Sequence, residues 1–144
     1  MIVDVSIYAH RKLRKVAKFK PLRLRHVPSV GVAYSLDHLP LSDGEYVLGV
    51  YENVANSLQD AIVLTDRCCH VYLPDDWASF RYSEIGRVVY GKFTTDKLDT
   101  LVVVDLHNGS NVQFHVSGFT VHEHDTKTFD SYAIGAFLDA ASSA

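Results

Sequence analysis

The stretch from Asp60 to Gly91, DAIVLTDRCCHVYLPDDWASFRYSEIGRVVYG, decides the fold. Within it, the apolar segments Asp60–Thr65 and Cys68–Leu73 flank the pair Asp66-Arg67. Two strand-like runs separated by two residues predict a tight β-hairpin, here one whose turn lacks the usual glycine. A loop at Pro74–Asp76 follows. The centre of the chain is therefore expected to be antiparallel β-structure.

Strand-like segments also lie on both sides of this hairpin. The pair Asn108-Gly109, between two of these segments, favours the positive φ of a hairpin turn. The pattern predicts short strands at Tyr46–Asn53, Ala78–Tyr82, Val88–Phe93, Thr100–Asp105, Val112–Ser117 and Thr120–His124, with a single turn at Ser83–Ile85.

Two amphipathic segments predict helices near the ends of the chain. Apolar residues recur at roughly helical spacing over residues 4–20, and Pro21 is expected to end that helix. Apolar residues with the i, i+3, i+4 pattern run through residues 126–142, where Thr126 or Thr128 is a candidate N-cap.

Several short strands followed by one helix predict an α+β domain, mainly antiparallel β, capped by the C-terminal helix and preceded by an N-terminal helix. Prolines and glycines in residues 21–44 predict an extended connection, with a short strand at Ser29–Tyr34. We therefore divide the chain into residues 1–44, a basic helix with an extended connection, and residues 45–144, a β-domain with a C-terminal helix.

The composition is that of a globular protein, with 47% hydrophobic and 22% charged residues among 144. No apolar run approaches the roughly 20 residues of a membrane-spanning helix. The two cysteines, Cys68 and Cys69, are adjacent and do not form a disulfide framework. These features lead us to expect a cytoplasmic protein.

The net charge of -3 hides an asymmetry along the chain. Residues 1–30 contain eight basic residues and one acidic residue, Asp4, whereas the remainder contains six basic and sixteen acidic residues. Opposite charge in two parts of a chain indicates either a basic segment that meets an external partner or one that lies on its own acidic body.

The central stretch resembles the bacterial pleckstrin-homology-like (PH-like) domains, which are related in shape to GRAM domains. In that family a hairpin of the form LT(D/N)R precedes a segment with spaced aromatic, isoleucine and valine residues. The residues that carry the resemblance here are Leu64, Thr65, Asp66, Arg67, Tyr82, Ile85 and Val88. The resemblance covers about residues 45–142.

The resemblance implies a sandwich or barrel of two nearly orthogonal sheets capped by a helix, and it implies no catalytic chemistry. Members of the family bind lipid headgroups, peptides or proteins. Lipid-binding members place basic residues in the loop between the first two strands. The corresponding loop here, Glu52–Asp60, contains no lysine or arginine, which argues against phosphoinositide binding in that position.

The N-terminal helix supplies the candidate binding residues Arg11, Arg14, Lys15 and Lys18. They form either a solvated face of a helix packed on the domain or a contact for an acidic partner, with a protein favoured over membrane lipid. Thin aromatic content argues against nucleic acid. Trp77 is either part of the core or an additional anchor for the partner.

Two other functions remain open. An inhibitor or immunity-type protein would cover a basic toxin or enzyme with its acidic surface, which includes Asp75, Asp76, Asp96 and Asp99. A small metal-dependent enzyme would use a histidine cluster, formed by His115, His122 and His124.

The sequence contains no motif for phosphate binding, nucleophilic catalysis or redox chemistry. Cys68 and His70 alternate onto one strand face and resemble a Cys–His pair, but one cysteine of a packed hairpin is expected to be a small core residue. We therefore predict a binding module without enzymatic activity, bound metal or cofactor. An exposed edge strand leaves the oligomeric state open.

Overall fold

In the computed structural model, residues 4–24, 27–90, 100–121 and 127–143 are described. The fold is α+β and mainly antiparallel, as predicted. The helices are α1 (Val5–Leu13) and α2 (Asp130–Ala141). The strands are β1 (Phe19–Pro21), β2 (Val47–Tyr51), β3 (Ile62–Thr65), β4 (Cys68–Leu73), β5 (Asp76–Arg81), β6 (Ile85–Val89), β7 (Leu101–Leu106), β8 (Asn111–His115), β9 (Phe119–Val121) and β10 (Lys127–Phe129).

The described strands form three antiparallel sheets. The largest has the order β1-β2-β3-β4-β5, so consecutive strands are neighbours throughout. A three-stranded sheet has the order β6-β7-β8, and β9 pairs with β10. A single 3-10 turn, Tyr82–Glu84, leads from the first sheet into the second. α2 then packs against α1 and β6.

The five-stranded sheet is covered on both faces, which explains the continuous apolar sequences of β2 and β3. Every residue of these two strands is buried. The inner face contributes Leu48, Ile62 and Leu64 to the main core, which also contains α2. The outer face contributes Val50 and Val63 to a second apolar cluster. That cluster is completed from the connection before β2 by Leu22, Tyr34, Leu36, Leu39 and Leu41.

The Asp66-Arg67 turn between β3 and β4 is confirmed, and side chains replace the missing glycine. The hydroxyl of Thr65 accepts hydrogen bonds from the backbone N–H groups of Arg67 (3.1 Å) and Cys68 (2.9 Å). The carboxylate of Asp66 accepts a bond of 2.9 Å from the backbone N–H of Tyr46. The Thr65 bonds provide partners for backbone N–H groups within the turn, and the Asp66 bond connects the turn to the segment just before β2.

The N-terminal segment differs from its prediction. α1 ends at Leu13 rather than near Pro21, because tight turns at Leu13–Val16 and Val16–Phe19 redirect the chain. Residues 19–21 instead pair with β2 as an edge strand, a position that tolerates proline. The short strand predicted at Ser29–Tyr34 is absent from this described segment, whose backbone is irregular.

Smaller differences occur elsewhere. β5 begins at Asp76, two residues before the predicted strand, because the β4–β5 pairing continues to Leu73 and Asp76. β6 occupies residues 85–89, whereas the prediction placed it at Val88–Phe93, partly outside the described residues. α2 begins at Asp130 with Phe129 as the N-cap, so the predicted threonine caps are wrong. Residues 127–129 pair with β9 instead.

The contacts of residues 4–24 cross the predicted boundary at residue 44. Ala9, Leu13, Val16 and Phe19 belong to the main core together with residues of the β-sheets and α2. Within the described part of the chain, no helix has the length and apolar character needed to cross a membrane.

Candidate functional site

A groove of about 310 Å³ lies between α1 and α2, and we define it here as the interhelical groove. Basic side chains from α1 and the turn after it line one side of the groove. Half-buried and buried apolar side chains and β9–β10 threonines line the rest. The lining residues are Arg11, Lys12, Arg14, Lys15, Val16, Thr120, Thr128, Phe129, Asp130, Tyr132, Ala133 and Ala136.

The geometry of α1 places its charged side chains beside the groove. The carboxylate of Asp4 caps the helix by accepting a hydrogen bond of 2.9 Å from the backbone N–H of Ser6. Ala9 and Leu13 are fully buried and belong to the main core, to which α2 also contributes. Residues three or four apart share a helix face, so Ala9 and Leu13 form the buried face of α1. Arg11, Lys12 and the basic residues that follow therefore lie at the surface.

The opposite side of the groove begins at the first turn of α2. Asp130 is 1% exposed, and its carboxylate accepts hydrogen bonds of 2.7 Å from the hydroxyls of Tyr51 and Thr120. A carboxylate in the first turn of a helix also interacts favourably with the helix dipole. Burial, followed by the charge of Asp130, raises the pKa of Tyr51 far above its usual value. Asp130 is therefore a satisfied structural group at the groove wall.

The basic side chains of the groove have no acidic partner among the described residues. The described ion pairs are Arg67–Asp66 and His70–Glu45, neither of which involves α1. Among the described residues, the polar contact of the Arg14 side chain is a 3.5 Å approach of its Nη1 to Nε2 of His10. The four exposed cations therefore concentrate positive potential at the edge of an apolar concavity.

The structure brings three of the four predicted basic residues together. Arg11, Arg14 and Lys15 line the groove, whereas Lys18 does not and donates a 3.1 Å hydrogen bond to Ser117. Lys12 also lines the groove, although the sequence prediction did not include it. The sequence signal that identifies it is the density of basic residues in residues 11–15.

Trp77 lies away from this groove, on the outer face of the five-stranded sheet. It is half-buried, packs with the second apolar cluster, and makes an edge-to-face contact with Tyr72 at a ring-centroid distance of 5.6 Å. The two aromatic residues are directly paired between β4 and β5. Trp77 thus does not line the same concavity as the basic residues.

The alternative sites are only partly within the described residues. Asp75 and Asp76 are exposed at the β4–β5 turn, whereas Asp96 and Asp99 lie outside the described residues. His115, at the end of β8, is exposed with its Nδ1 3.5 Å from the hydroxyl of Thr100. His122 and His124 also lie outside the described residues.

A buried polar cluster, not predicted from the sequence, lies on the outer face of the five-stranded sheet. Nε2 of His70 is 2.9 Å from Oε2 of Glu45, and both side chains are almost completely buried. Nδ1 of His70 is 2.6 Å from the hydroxyl of exposed Ser79. Thr65 donates a hydrogen bond of 2.5 Å to Oε2 of Glu45.

Cys68 completes this cluster beside Glu45. Its thiol, Nε2 or Nδ1 of His70 and a carboxylate oxygen of Glu45 all lie within 4.8 Å of one another. Burial, followed by the charge of Glu45, raises the pKa of the Cys68 thiol to about 12. Burial opposes ionisation of Glu45, but hydrogen bonds from Thr65 and the Ser42 N–H, together with His70, hold its pKa below the usual value.

Cys69 has the opposite orientation and a different environment. It is fully buried in the main core, as expected for a small core residue, and burial raises the pKa of its thiol. A high thiol pKa in both cysteines argues against a nucleophilic thiolate in the described structure.

No protein-family model, curated protein or solved structure matches this chain. The interhelical groove combines apolar walls with basic side chains that have no acidic partner among the described residues.

Proposed function

We propose that the chain is a non-enzymatic binding module that holds an acidic segment of another protein in the interhelical groove. The observation that carries the proposal is the position of Arg11, Lys12, Arg14 and Lys15 along a groove lined by apolar side chains. The charges favour an acidic partner and speed its encounter, while the apolar walls provide area for one or two anchoring side chains.

The groove volume favours a peptide segment over a small-molecule ligand. About 310 Å³ is at the lower limit of ligand pockets, which span roughly 300–1,000 Å³. Such a groove has space for one or two side chains of a segment whose backbone lies across α1 and α2. The PH-like resemblance supports the same proposal because that family includes peptide and protein binders.

The charge of the remaining chain favours protein over membrane lipid. Acidic residues outnumber basic residues sixteen to six in residues 31–144. A negatively charged bilayer would repel this body, whereas a short acidic segment would reach only the basic groove. We therefore propose a protein partner.

The test is a pull-down from the native cell extract at two salt concentrations. The groove variant carries Arg11→Glu, Arg14→Glu and Lys15→Glu. The control variant carries Lys18→Glu, Arg81→Glu and Arg87→Glu, which make the same charge change outside the groove lining.

We expect the wild type and the control variant to retain one common partner, and the groove variant to lose it. Higher salt should weaken the retained interaction because the attraction is screened. Retention by the groove variant, or equal loss in both variants, would contradict the proposal.

A further inference from the structure

The buried polar cluster combines three different metal-ligating groups from separate parts of the chain. Glu45 precedes β2, whereas Cys68 and His70 lie two residues apart on one face of β4. Their ligand atoms lie within 4.8 Å of one another. Tetrahedral zinc with bonds of about 2.0–2.3 Å requires ligand atoms about 3.3–3.7 Å apart. Ligand atoms at the upper limit of 4.8 Å would therefore need to approach one another by about 1.1–1.5 Å.

From this arrangement we infer that Glu45, Cys68 and His70 form a binding site for one zinc ion. Thiolate, imidazole and carboxylate are all established zinc ligand types, and a thiolate disfavours magnesium and calcium. The site is independent of the interhelical groove and of the function proposed for it.

Surrounding hydrogen bonds already orient two of the three ligands. Thr65 donates to Oε2 of Glu45 at 2.5 Å, and the backbone N–H of Ser42 donates to Oε1 at 2.9 Å. The hydroxyl of Ser79 lies 2.6 Å from Nδ1 of His70 and fixes the ring plane. Such outer contacts accompany most metal-bound histidines and carboxylates and restrict their orientation.

Access to the site comes from the side of Cys68 and Ser79. Cys68 is 9% exposed and Ser79 is exposed, whereas His70 is 1% exposed. An ion can thus approach from the β5 side of the sheet. A solvent molecule on this side can supply the fourth ligand, as in zinc sites with three protein ligands.

Zinc binding removes the proton of the Cys68 thiol and moves the ring proton of His70. The thiol of Cys68 loses its proton to solvent, and its sulfur binds the ion. If the metal-free ring is neutral with its proton on Nε2, that nitrogen donates to the Glu45 carboxylate and Nδ1 accepts from the hydroxyl of Ser79. When Nε2 binds zinc, the ring proton transfers to Nδ1, which then donates to Ser79. One zinc ion therefore releases one proton from the chain.

The adjacent cysteines provide a matched test. Protein treated with a chelator is first titrated with Co²⁺, whose complex with a thiolate has a near-ultraviolet charge-transfer band. Zn²⁺ is then added to displace Co²⁺, and this second titration gives the zinc affinity. We expect the wild type and Cys69→Ser to show the band and Cys68→Ser to lose it. Zinc affinity should fall at least about tenfold in Cys68→Ser and also in Ser79→Ala.

Zinc X-ray absorption on the wild-type protein gives a second measurement that requires no variant. We expect one sulfur and two or three nitrogen or oxygen ligands. A shell without sulfur would show that the ion binds elsewhere, for example at surface histidines, and would overturn the assignment. Absence of the cobalt band in the wild type, or its persistence in Cys68→Ser, would overturn it as well.

Discussion

The hydroxyl of Tyr51 donates a hydrogen bond of 2.7 Å to the carboxylate of Asp130, which joins β2 to the first turn of α2. The same hydroxyl accepts a 3.0 Å bond from the backbone N–H of Gly118. Both Tyr51 and Asp130 are almost fully buried. This pair fixes the start of the helix that forms one side of the interhelical groove.

Removing this hydroxyl should destabilise the fold. Tyr51→Phe leaves the buried carboxylate with fewer donors and the Gly118 N–H without its acceptor, so we expect the free energy of unfolding to fall by about 1.5–3 kcal/mol. Urea denaturation measures this change. As a control, Tyr72→Phe removes a hydroxyl that bonds to no described residue and should change stability by about 0.5 kcal/mol or less. Equal effects of the two substitutions would contradict this account.

Alkaline pH should destabilise the protein partly through Tyr34. Burial and the nearby carboxylate of Glu52, which accepts a 2.5 Å bond from the Tyr34 hydroxyl, raise the pKa of Tyr34. In the unfolded chain tyrosine ionises near its usual pKa of about 10. The contribution of Tyr34 to the free energy of unfolding is therefore fully present below about pH 10. It is lost as the pH rises through the higher pKa that Tyr34 has in the folded protein.

Urea denaturation at several pH values between about 9 and 11 tests this sign. Stability should decline over this range in the wild type, and the decline should be shallower in Tyr34→Phe. Other buried tyrosines with raised pKa, including Tyr51 and Tyr82, contribute to the decline in both proteins. Identical slopes in the two proteins would exclude Tyr34 as a contributor.

Docking of β1 onto β2 depends on the absence of a side chain at Gly49. A methyl group there would overlap Cζ of Phe19 and lie 2.8 Å from the carbonyl oxygen of Lys20. Because Phe19 is buried in the main core, we expect Gly49→Ala to destabilise the protein by about 1–3 kcal/mol. Trypsin cleavage after Lys18 should also become faster, whereas Lys20 is protected by the following Pro21.

Gly31→Ala is the matched control for Gly49→Ala. A methyl group at Gly31 meets no atom within 4 Å, so its stability should differ from the wild type by about 0.5 kcal/mol or less. Unchanged tryptic cleavage in Gly49→Ala would contradict the close packing of β1 on β2.

Local sequence patterns were sufficient to predict the central hairpin but not β1. The Asp66-Arg67 turn is stabilised by Thr65, its immediate neighbour, so the pattern and its physical cause lie together. Residues 19–21 include a proline and have no strand pattern of their own. They become a strand because the edge of β2 supplies their hydrogen-bond partners, which is a tertiary effect.

The candidate sites also differ in whether local sequence or tertiary packing brings their residues together. The basic residues near the end of α1 are adjacent in sequence, and their role as a set could be predicted from that density. Phe129, Ala133 and Ala136 join them only through packing of α2 on α1. Glu45 and His70 are 25 residues apart, and no local pattern indicates that they meet.

Filling the groove without changing its charge should also prevent binding. Ala136 lines the groove, whereas half-buried Ala140 lies one helical turn further along α2, outside the lining. We expect Ala136→Trp to lower partner retention in the pull-down at least about tenfold and Ala140→Trp to leave it unchanged. Thermal denaturation of both variants checks that they remain folded. Binding retained by folded Ala136→Trp would place the partner elsewhere.

The most direct measurement of the central claim is a selection of displayed peptides on the wild-type protein, followed by binding assays of the enriched sequences. We predict that these peptides contain aspartate or glutamate around an aliphatic or aromatic anchor. They should bind the Lys18→Glu, Arg81→Glu, Arg87→Glu control and fail to bind the Arg11→Glu, Arg14→Glu, Lys15→Glu variant. Enrichment of basic peptides, or equal binding to both variants, would contradict the assignment of the interhelical groove as the recognition site.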